Sequence, residues 1–226
     1  MSVPTWSLEL HAHTIYSIDS LIRLDDLQAI CQKRGVDKLA ITDHNEVRAA
    51  LQMARMYPIW VIPGVEVMTT QGELLAWYIN GPVPKGLSPQ ETIKRLRDQE
   101  AVIGVAHPFD RYRSGAWRLE HLVEIVELVD AIEVFNSRCL HMEDNDKALA
   151  FAKKYDKLMT CGSDAHTPRE YGRALLQAHP FPNNADGLRQ ALKEAVCQEQ
   201  LSGVDVHVSS TLAKWAKRLR PSLQPE

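Results

Sequence analysis

The sequence predicts an α/β fold whose largely parallel sheet curls into a barrel or distorted barrel. Short apolar runs that read as strands alternate with segments of helical apolar spacing along most of the chain, the pattern of strand–helix units. About seven such units fit into 226 residues, which favours a barrel over a short open sheet. A third observation concerns chemistry: each strand-like run delivers a histidine, a carboxylate or an asparagine, in most cases at its C-terminal end.

Seven strands are expected, in order TWSLELHA (5–12), DKLAIT (37–42), WVIPGVEV (60–67), GELLAWYI (72–79), AVIGVAHP (101–108), DAIEVFN (130–136) and KLMTCGS (157–163). Helices are expected over 24–34, 46–56, 88–100, 119–128, 145–155 and 185–196. In the first, Leu24, Leu27, Ala29, Ile30 and Cys31 recur at helical spacing. The segment from 88 opens Ser-Pro-x-Glu, which puts a proline in the first turn. The link between the third and fourth strands is too short for a helix, so that pair is expected to leave strict alternation as a hairpin. A last helix, 211–220, gathers Leu212, Trp215, Ala216 and Leu219 on one face and Lys214, Lys217, Arg218 and Arg220 elsewhere. It is expected to dock on the barrel or to contact a partner, with Pro221 as its stop. No linker composition interrupts the chain, so residues 1–226 are expected to form one domain.

Bulk properties narrow the class. With 45% hydrophobic and 24% charged residues, a core can form without disulfides. A net charge of −3 gives no global basic field for nucleic acid, though it leaves room for a local patch. Cys31, Cys139, Cys161 and Cys197 are scattered without a C-x-x-C pair, as in reduced, mostly buried thiols. The start MSVPTWSLEL has no leader pattern, and no run approaches the ~18 apolar residues of a membrane span. A cytoplasmic protein without membrane contact is expected.

The chemistry starts at LELHAHTIYSIDS (8–20). His11 and His13 lie two apart on a strand, so their side chains point the same way. In parallel barrels chemistry collects where strands end. The other strands deliver Asp43 and His44, Glu66, His107, Asn136, and Asp164 with His166 at that position, whereas Glu73 stands near the start of its strand. Imidazoles and carboxylates converging on one mouth describe a metal cluster, because burying so many ionisable groups without a metal is costly. Five histidines with carboxylates and no thiolate suit zinc, manganese or iron, and more than four ligands imply more than one ion. Closely spaced ions suit hydrolysis of phosphate esters. Cys161, on an apolar strand position, reads as core.

Five ordered motifs carry a family resemblance: His11-Ala12-His13 with Asp19, Thr42-Asp43-His44, Pro63-Gly64-Val65-Glu66, Ala106-His107-Pro108 and Gly162-Ser163-Asp164-Ala165-His166. Together they resemble the PHP (polymerase and histidinol phosphatase) family, over residues 8–172 or about three quarters of the chain. The resemblance implies a distorted (β/α)7 TIM-like barrel with two or three divalent ions and phosphoesterase activity. It implies that His11, His13, Glu66 and Asp164 hold one ion. Glu66 would bridge to a second, also held by His107, and Asp19, His44 and His166 would hold a third. Many relatives have a histidine where this chain has Glu73; a carboxylate still ligates, so Glu73 is assigned to the second ion. Relatives vary between histidine and aspartate at the Asp19 position. Asp43 is expected to orient its neighbours, to cap the following helix, or both.

Phosphate requires cations, and Arg111, Arg113 and Arg138 follow strand ends; each is read as a phosphate ligand or an ordinary surface arginine. Arg138 fits an N-x-R pattern frequent in relatives, and Asn136 is expected to orient the attacking water or the phosphate. Tyr16, Tyr112 and Trp117 are read as stacking or packing residues, and His121, His141, His179 and His207 as surface or structural. The expected activity is hydrolysis of a phosphate ester by a metal-bound hydroxide, with Glu66, Asp164 and His166 as the catalytic set. A small phosphomonoester such as a nucleotide or sugar phosphate is the first expectation. A nuclease acting on RNA or DNA ends is the alternative, and a non-catalytic metal-binding module the third. An amidohydrolase fits less well, since no lysine suited to a carbamate lies at a strand end.

Overall fold

The computed structural model describes residues 5–220 and 223, apart from 114, 204 and the side chain of His207. The expected stop at Pro221 and the assignment of His207 lie outside the described residues. The seven expected strands are present: β1 Trp6–Glu9, β2 Lys38–Ile41, β3 Val61–Met68, β4 Glu73–Trp77, β5 Val102–Val105, β6 Ala131–Asn136 and β7 Leu158–Gly162. Two more, β8 Ala174–Ala178 and β9 Val196–Glu199, were not expected. Val196 thus belongs to a strand and not to the end of the 185–196 helix, which closes at Ala191. β9 is short and largely exposed, so its sequence carries little of the apolar alternation that marks a strand.

The sheet order is β7-β6-β5-β4-β3-β2-β1-β8-β9. β1, β2 and β3 run parallel, as do β5, β6 and β7. β4 lies antiparallel between β3 and β5, the departure that the short 3–4 link demands. Its reversal carries the start of β4 to the end where its neighbours finish, with Glu73 opposite Met68. A bridge between Ala12 and Ala165 joins the segments after β1 and β7, so the sheet nearly closes into a distorted TIM-like barrel. β8, antiparallel to β1, fills the gap, and its Ala174 N–H donates to Ser163 Oγ at 3.0 Å.

The barrel interior is apolar below the mouth. Leu8, Leu10, Ile62, Leu75, Trp77, Phe135 and Cys161 pack there, each fully buried side chain contributing about 2 kcal/mol. Trp77 Nε1 donates to the Leu10 carbonyl, and Gly104 leaves the space its ring needs: a Cβ there would lie 2.8 Å from it. Polar side chains are therefore displaced towards the rim.

The helices are α1 Leu27–Arg34, α2 Arg48–Met56, α3 Pro89–Arg97, α4 Leu119–Ile125, α5 Met142–Lys154, α6 Ala185–Ala191 and α7 Asp205–Leu219. The Ser-Pro start is realised at α3, where Ser88 Oγ accepts from the Glu91 N–H. α5 begins three residues before the expected 145, with Glu143 and Asp144 in its first turn, where acidic groups favour the helix dipole. No helix among the described residues is long and apolar enough to cross a membrane.

α7 starts six residues earlier than expected and docks by its other face. Val206, Ser210, Ala213 and Lys217 are buried, whereas Leu212, Trp215 and Leu219 are 63%, 60% and 76% exposed. Lys217 Nζ donates to the Ile15 and Ser17 carbonyls, and Ser210 Oγ accepts from Arg138 at 2.8 Å. Trp215→Ala is therefore expected to change unfolding free energy by no more than about 0.5 kcal/mol. Lys217→Ala is expected to cost about 1–3 kcal/mol, because it removes a buried donor from two carbonyls. Urea denaturation of both variants measures the contrast.

Candidate metal centre

Every residue expected to ligate lies at one mouth. Beyond β1 the extended chain aims His11 and His13 at the same oxygen: their Nε2 atoms lie 3.7 and 3.2 Å from Asp164 Oδ1. The same nitrogens lie 3.4 and 3.5 Å from Glu66 Oε2 on β3. His107, after β5, places Nε2 2.9 Å from Glu66 Oε1 and 3.5 Å from Glu73 Oε2. His44, after β2, places Nδ1 2.8 Å from Glu66 Oε2 and 3.8 Å from Glu73 Oε1. Asp19 sits between His44 Nε2 at 3.6 Å and His166 Nε2 at 3.2 Å.

The donors fit divalent ions. Ligands about 2.1 Å from a tetrahedral ion stand about 3.4 Å apart, which is the spacing of the His11, His13, Glu66 and Asp164 atoms. His11 Nε2, His13 Nε2, Glu66 Oε2, Asp164 Oδ1 and Asp19 Oδ1 are buried and make no well-formed hydrogen bond, meeting only ligand-type atoms across the cluster. Polar atoms left so cost about 1–3 kcal/mol each, a penalty that ligation removes.

The surrounding contacts turn imidazole lone pairs inward. His11 Nδ1 donates to Glu133 Oε1 at 2.8 Å, and His166 Nδ1 to the Asp164 carbonyl at 2.8 Å. Ser17 Oγ gives its proton to Asp43 Oδ1 at 2.7 Å, so it accepts from His13 Nδ1 and from the His44 N–H, both at 3.0 Å. In His11, His13 and His166 Nε2 is thereby left facing the cluster, whereas His44 turns Nδ1 to Glu66. Asp43 also accepts from the Thr14 N–H and hydroxyl. It orients its neighbours and caps no helix, since the residue capping α2 is Val47. Gly162 is required beside this network: a Cβ there would lie 2.3 Å from His11 Cβ. His107 and Asp164 hold left-handed backbone, at φ 27° and 52°, a strain of roughly 1–2 kcal/mol per residue located where the side chains must turn inward.

Charge is shared across the cluster. Burial alone would raise the Glu66 and Asp164 carboxyls. The His11 and His44 charges hold Glu66 well below the usual range instead, and Arg113 with His11 does so for Asp164. Burial would lower His11 and His44, but the facing carboxylates raise both well above 6.5. Burial, with His166 and His44 beside it, pushes His13 well below. Burial and Glu66 raise Glu73. An ion must therefore compete with protons for His11 and His44. Zinc affinity is expected to fall as pH falls, by about tenfold per unit for each displaced proton. Calorimetric titrations between pH 8 and 6 in buffers of different ionisation enthalpy measure both slope and proton release.

The residues expected to bind substrate separate. Arg113 reaches the cluster, contacting Asp164 Oδ2 and donating to Asp110 at 3.0 Å. Asn136 is buried; its Nδ2 donates to Asp164 Oδ2 at 3.2 Å and to Glu133 Oε2 at 3.1 Å. Arg138, 5% exposed, lines the cleft, but its guanidinium lies 3.3 Å from Glu170 and donates to Ser210. Arg111 turns to Asp144 at 2.8 Å. Trp117 packs, donating to the Glu73 carbonyl at 3.1 Å, and Arg48 covers the Tyr16 ring. Above the cluster lies a cleft of ≈ 600 Å³, walled in part by Lys85, Arg113, Arg138 and Lys214.

Two buried carboxylates escaped the sequence reasoning. Glu133, in the middle of β6, holds His11 Nδ1 and also accepts from the His107 N–H at 2.8 Å. Glu9, in β1, accepts from the backbone N–H groups of His11, Ser163 and Gly172, and burial raises its carboxyl to about 7. The available signal was a charged residue inside an otherwise apolar strand.

Comparison with known proteins bears on the family and the fold. Residues 142–197 match the family described as PHP-associated. The chain is 37% identical over 173 residues to an uncharacterized protein of Methanocaldococcus jannaschii, covering 75% of this chain and 69% of that protein. It superposes at TM-score 0.69 and 17% identity on a two-domain protein from Bacteroides vulgatus containing a predicted PHP-like metal-dependent phosphoesterase, covering 93% of this chain and 70% of the other. It superposes at TM-score 0.58 and 15% identity on the lesion-specific endonuclease EndoQ of Pyrococcus furiosus, covering 86% and 58%. With its ordered motifs, its nearly closed barrel and these likenesses, the chain belongs to the PHP family.

Proposed function

We propose that the protein is a metal-dependent phosphoesterase that hydrolyses a small phosphomonoester, such as a nucleotide or sugar phosphate. The observation that carries this is the set of buried imidazole and carboxylate atoms without a well-formed hydrogen bond beneath a cleft with basic walls. His11, His13, Glu66 and Asp164 would hold one divalent ion. Glu66, Glu73 and His107 would hold a second, and Asp19, His44 and His166 a third. Bound zinc, manganese or iron ions polarise phosphate oxygens and make water acidic enough to attack at neutral pH.

The chain's residues supply the order around that chemistry. Glu133 and Ser17 hold His11 and His13. Asn136 and Arg113 hold Asp164, and Arg113 keeps its positive charge in the cleft wall. His166 lines the cleft and would hold its ion through Nε2 while Nδ1 donates to the Asp164 carbonyl. Arg138 serves the site through Glu170 and α7. A cleft of ≈ 600 Å³ suits a ligand of mononucleotide size.

A nuclease acting on RNA or DNA ends is the second reading. It is favoured by a groove of ≈ 310 Å³ beside the cleft, lined in part by Arg48, Lys214, Lys217 and Arg218. The test is hydrolysis of an aryl phosphate, of mononucleotides and of a 5′-phosphorylated oligonucleotide by metal-loaded protein. Turnover of the small esters that His13→Ala abolishes supports the proposal. Preference for the oligonucleotide with a steep loss in salt supports the nuclease. No turnover of any of them after loading with zinc, manganese or iron contradicts both.

A further inference from the structure

We infer that Lys214 of the C-terminal helix binds the substrate phosphate, so that α7 completes the active site; this rests on the phosphoesterase reading. The helix lies beyond the family motifs, which end at residue 172. It is nonetheless fastened to the mouth at two points on one face, Ser210 to Arg138 and Lys217 to the Ile15 and Ser17 carbonyls. Lys214 is four residues after the first and three before the second, on that same face.

Its ammonium is thereby brought to the cluster. Lys214 Nζ lies 3.3 Å from Asp19 Oδ2 with its side chain 44% exposed, and it lines the cleft. Of the arginines that line the same cleft, Arg113 is held by Asp110 and Asp164 and Arg138 by Glu170. The pair joins a partly exposed ammonium to a buried carboxylate, and an ammonium has three donors, so Lys214 can keep Asp19 and still offer a donor to the cleft. Lys214 can therefore meet a phosphate that the buried arginines do not reach without leaving their carboxylates. Lys85 also lines the cleft, but from a loop position and not from an anchored helix.

The test is calorimetric binding of inorganic phosphate to the metal-loaded full chain, for the unaltered protein, Lys214→Ala and Lys214→Arg. Metal content and unfolding temperature are measured alongside. The expected result is a Kd about tenfold higher for Lys214→Ala, within about threefold for Lys214→Arg, with metal content unchanged. On an aryl phosphate, KM is expected to rise in Lys214→Ala more than kcat falls. Equal phosphate affinity in Lys214→Ala, absence of phosphate binding by the unaltered protein, or loss of a metal equivalent in Lys214→Ala overturns the inference. Lys214-dependent phosphate binding without hydrolysis of any ester overturns the phosphoesterase reading and leaves the phosphate site standing.

Discussion

Glu66→Gln is expected to lower kcat/KM for a phosphate ester at least about a thousandfold, or about 4 kcal/mol of transition-state stabilisation, and to reduce metal content. Among the described residues Glu66 is the one carboxylate that meets four histidines, with contacts of 3.4, 3.5, 2.8 and 2.9 Å to His11, His13, His44 and His107. The amide keeps the shape but removes the charge that leads in raising His44, that acts with Glu133 and Asp164 on His11, and that would be shared between ions. The substitution therefore acts on two sites together. Steady-state kinetics with elemental analysis of the same sample checks it. Unchanged activity with full metal content would remove Glu66 from the centre.

Glu133→Gln is expected to weaken metal affinity by about 10–100-fold while leaving every expected ligand in place. Glu133 ties together His11 Nδ1, the His107 N–H and Asn136 Nδ2. An amide accepts at only one atom, so either His11 Nδ1 or both the His107 N–H and Asn136 Nδ2 lose their partner, and the His11 ring loses the anionic acceptor that fixes Nε2 towards the cluster. Competition with a chelator of known affinity measures the loss. Glu133→Ala is expected in addition to cost about 3–5 kcal/mol of stability, because it leaves His11 charged and buried against fewer counter-charges.

What could be read from the sequence is what depends on short-range periodicity. A period of two put His11 and His13 on one side, and strand ends located His44, Glu66, His107, Asp164 and His166. The short link between strands three and four announced the hairpin. Its antiparallel pairing explains why Glu73, at a strand start, reaches the same mouth.

What could not be read depends on partners distant in sequence. Glu133 and Glu9 look like any polar residue within a strand until His11 or Gly172 is placed against them. Arg138 matched a phosphate-binding pattern, yet Glu170 and Ser210, 32 and 72 residues away, claim its guanidinium. Apolar spacing indicated Leu212, Trp215 and Leu219 as the docked face of α7. The opposite face docks instead, with Lys217 donating to the Ile15 and Ser17 carbonyls, partners some 200 residues away.

The mouth of this barrel is proposed to hold more than one divalent ion. Elemental analysis of metal per chain, on protein purified without chelator and on its Glu73→Ala variant, tests it most directly. The expected result is two or three equivalents of zinc, manganese or iron, with one lost in the variant. Fewer than one equivalent after reloading with each of these metals would contradict the claim, and the buried histidines and carboxylates would then be a charge network without catalytic metal.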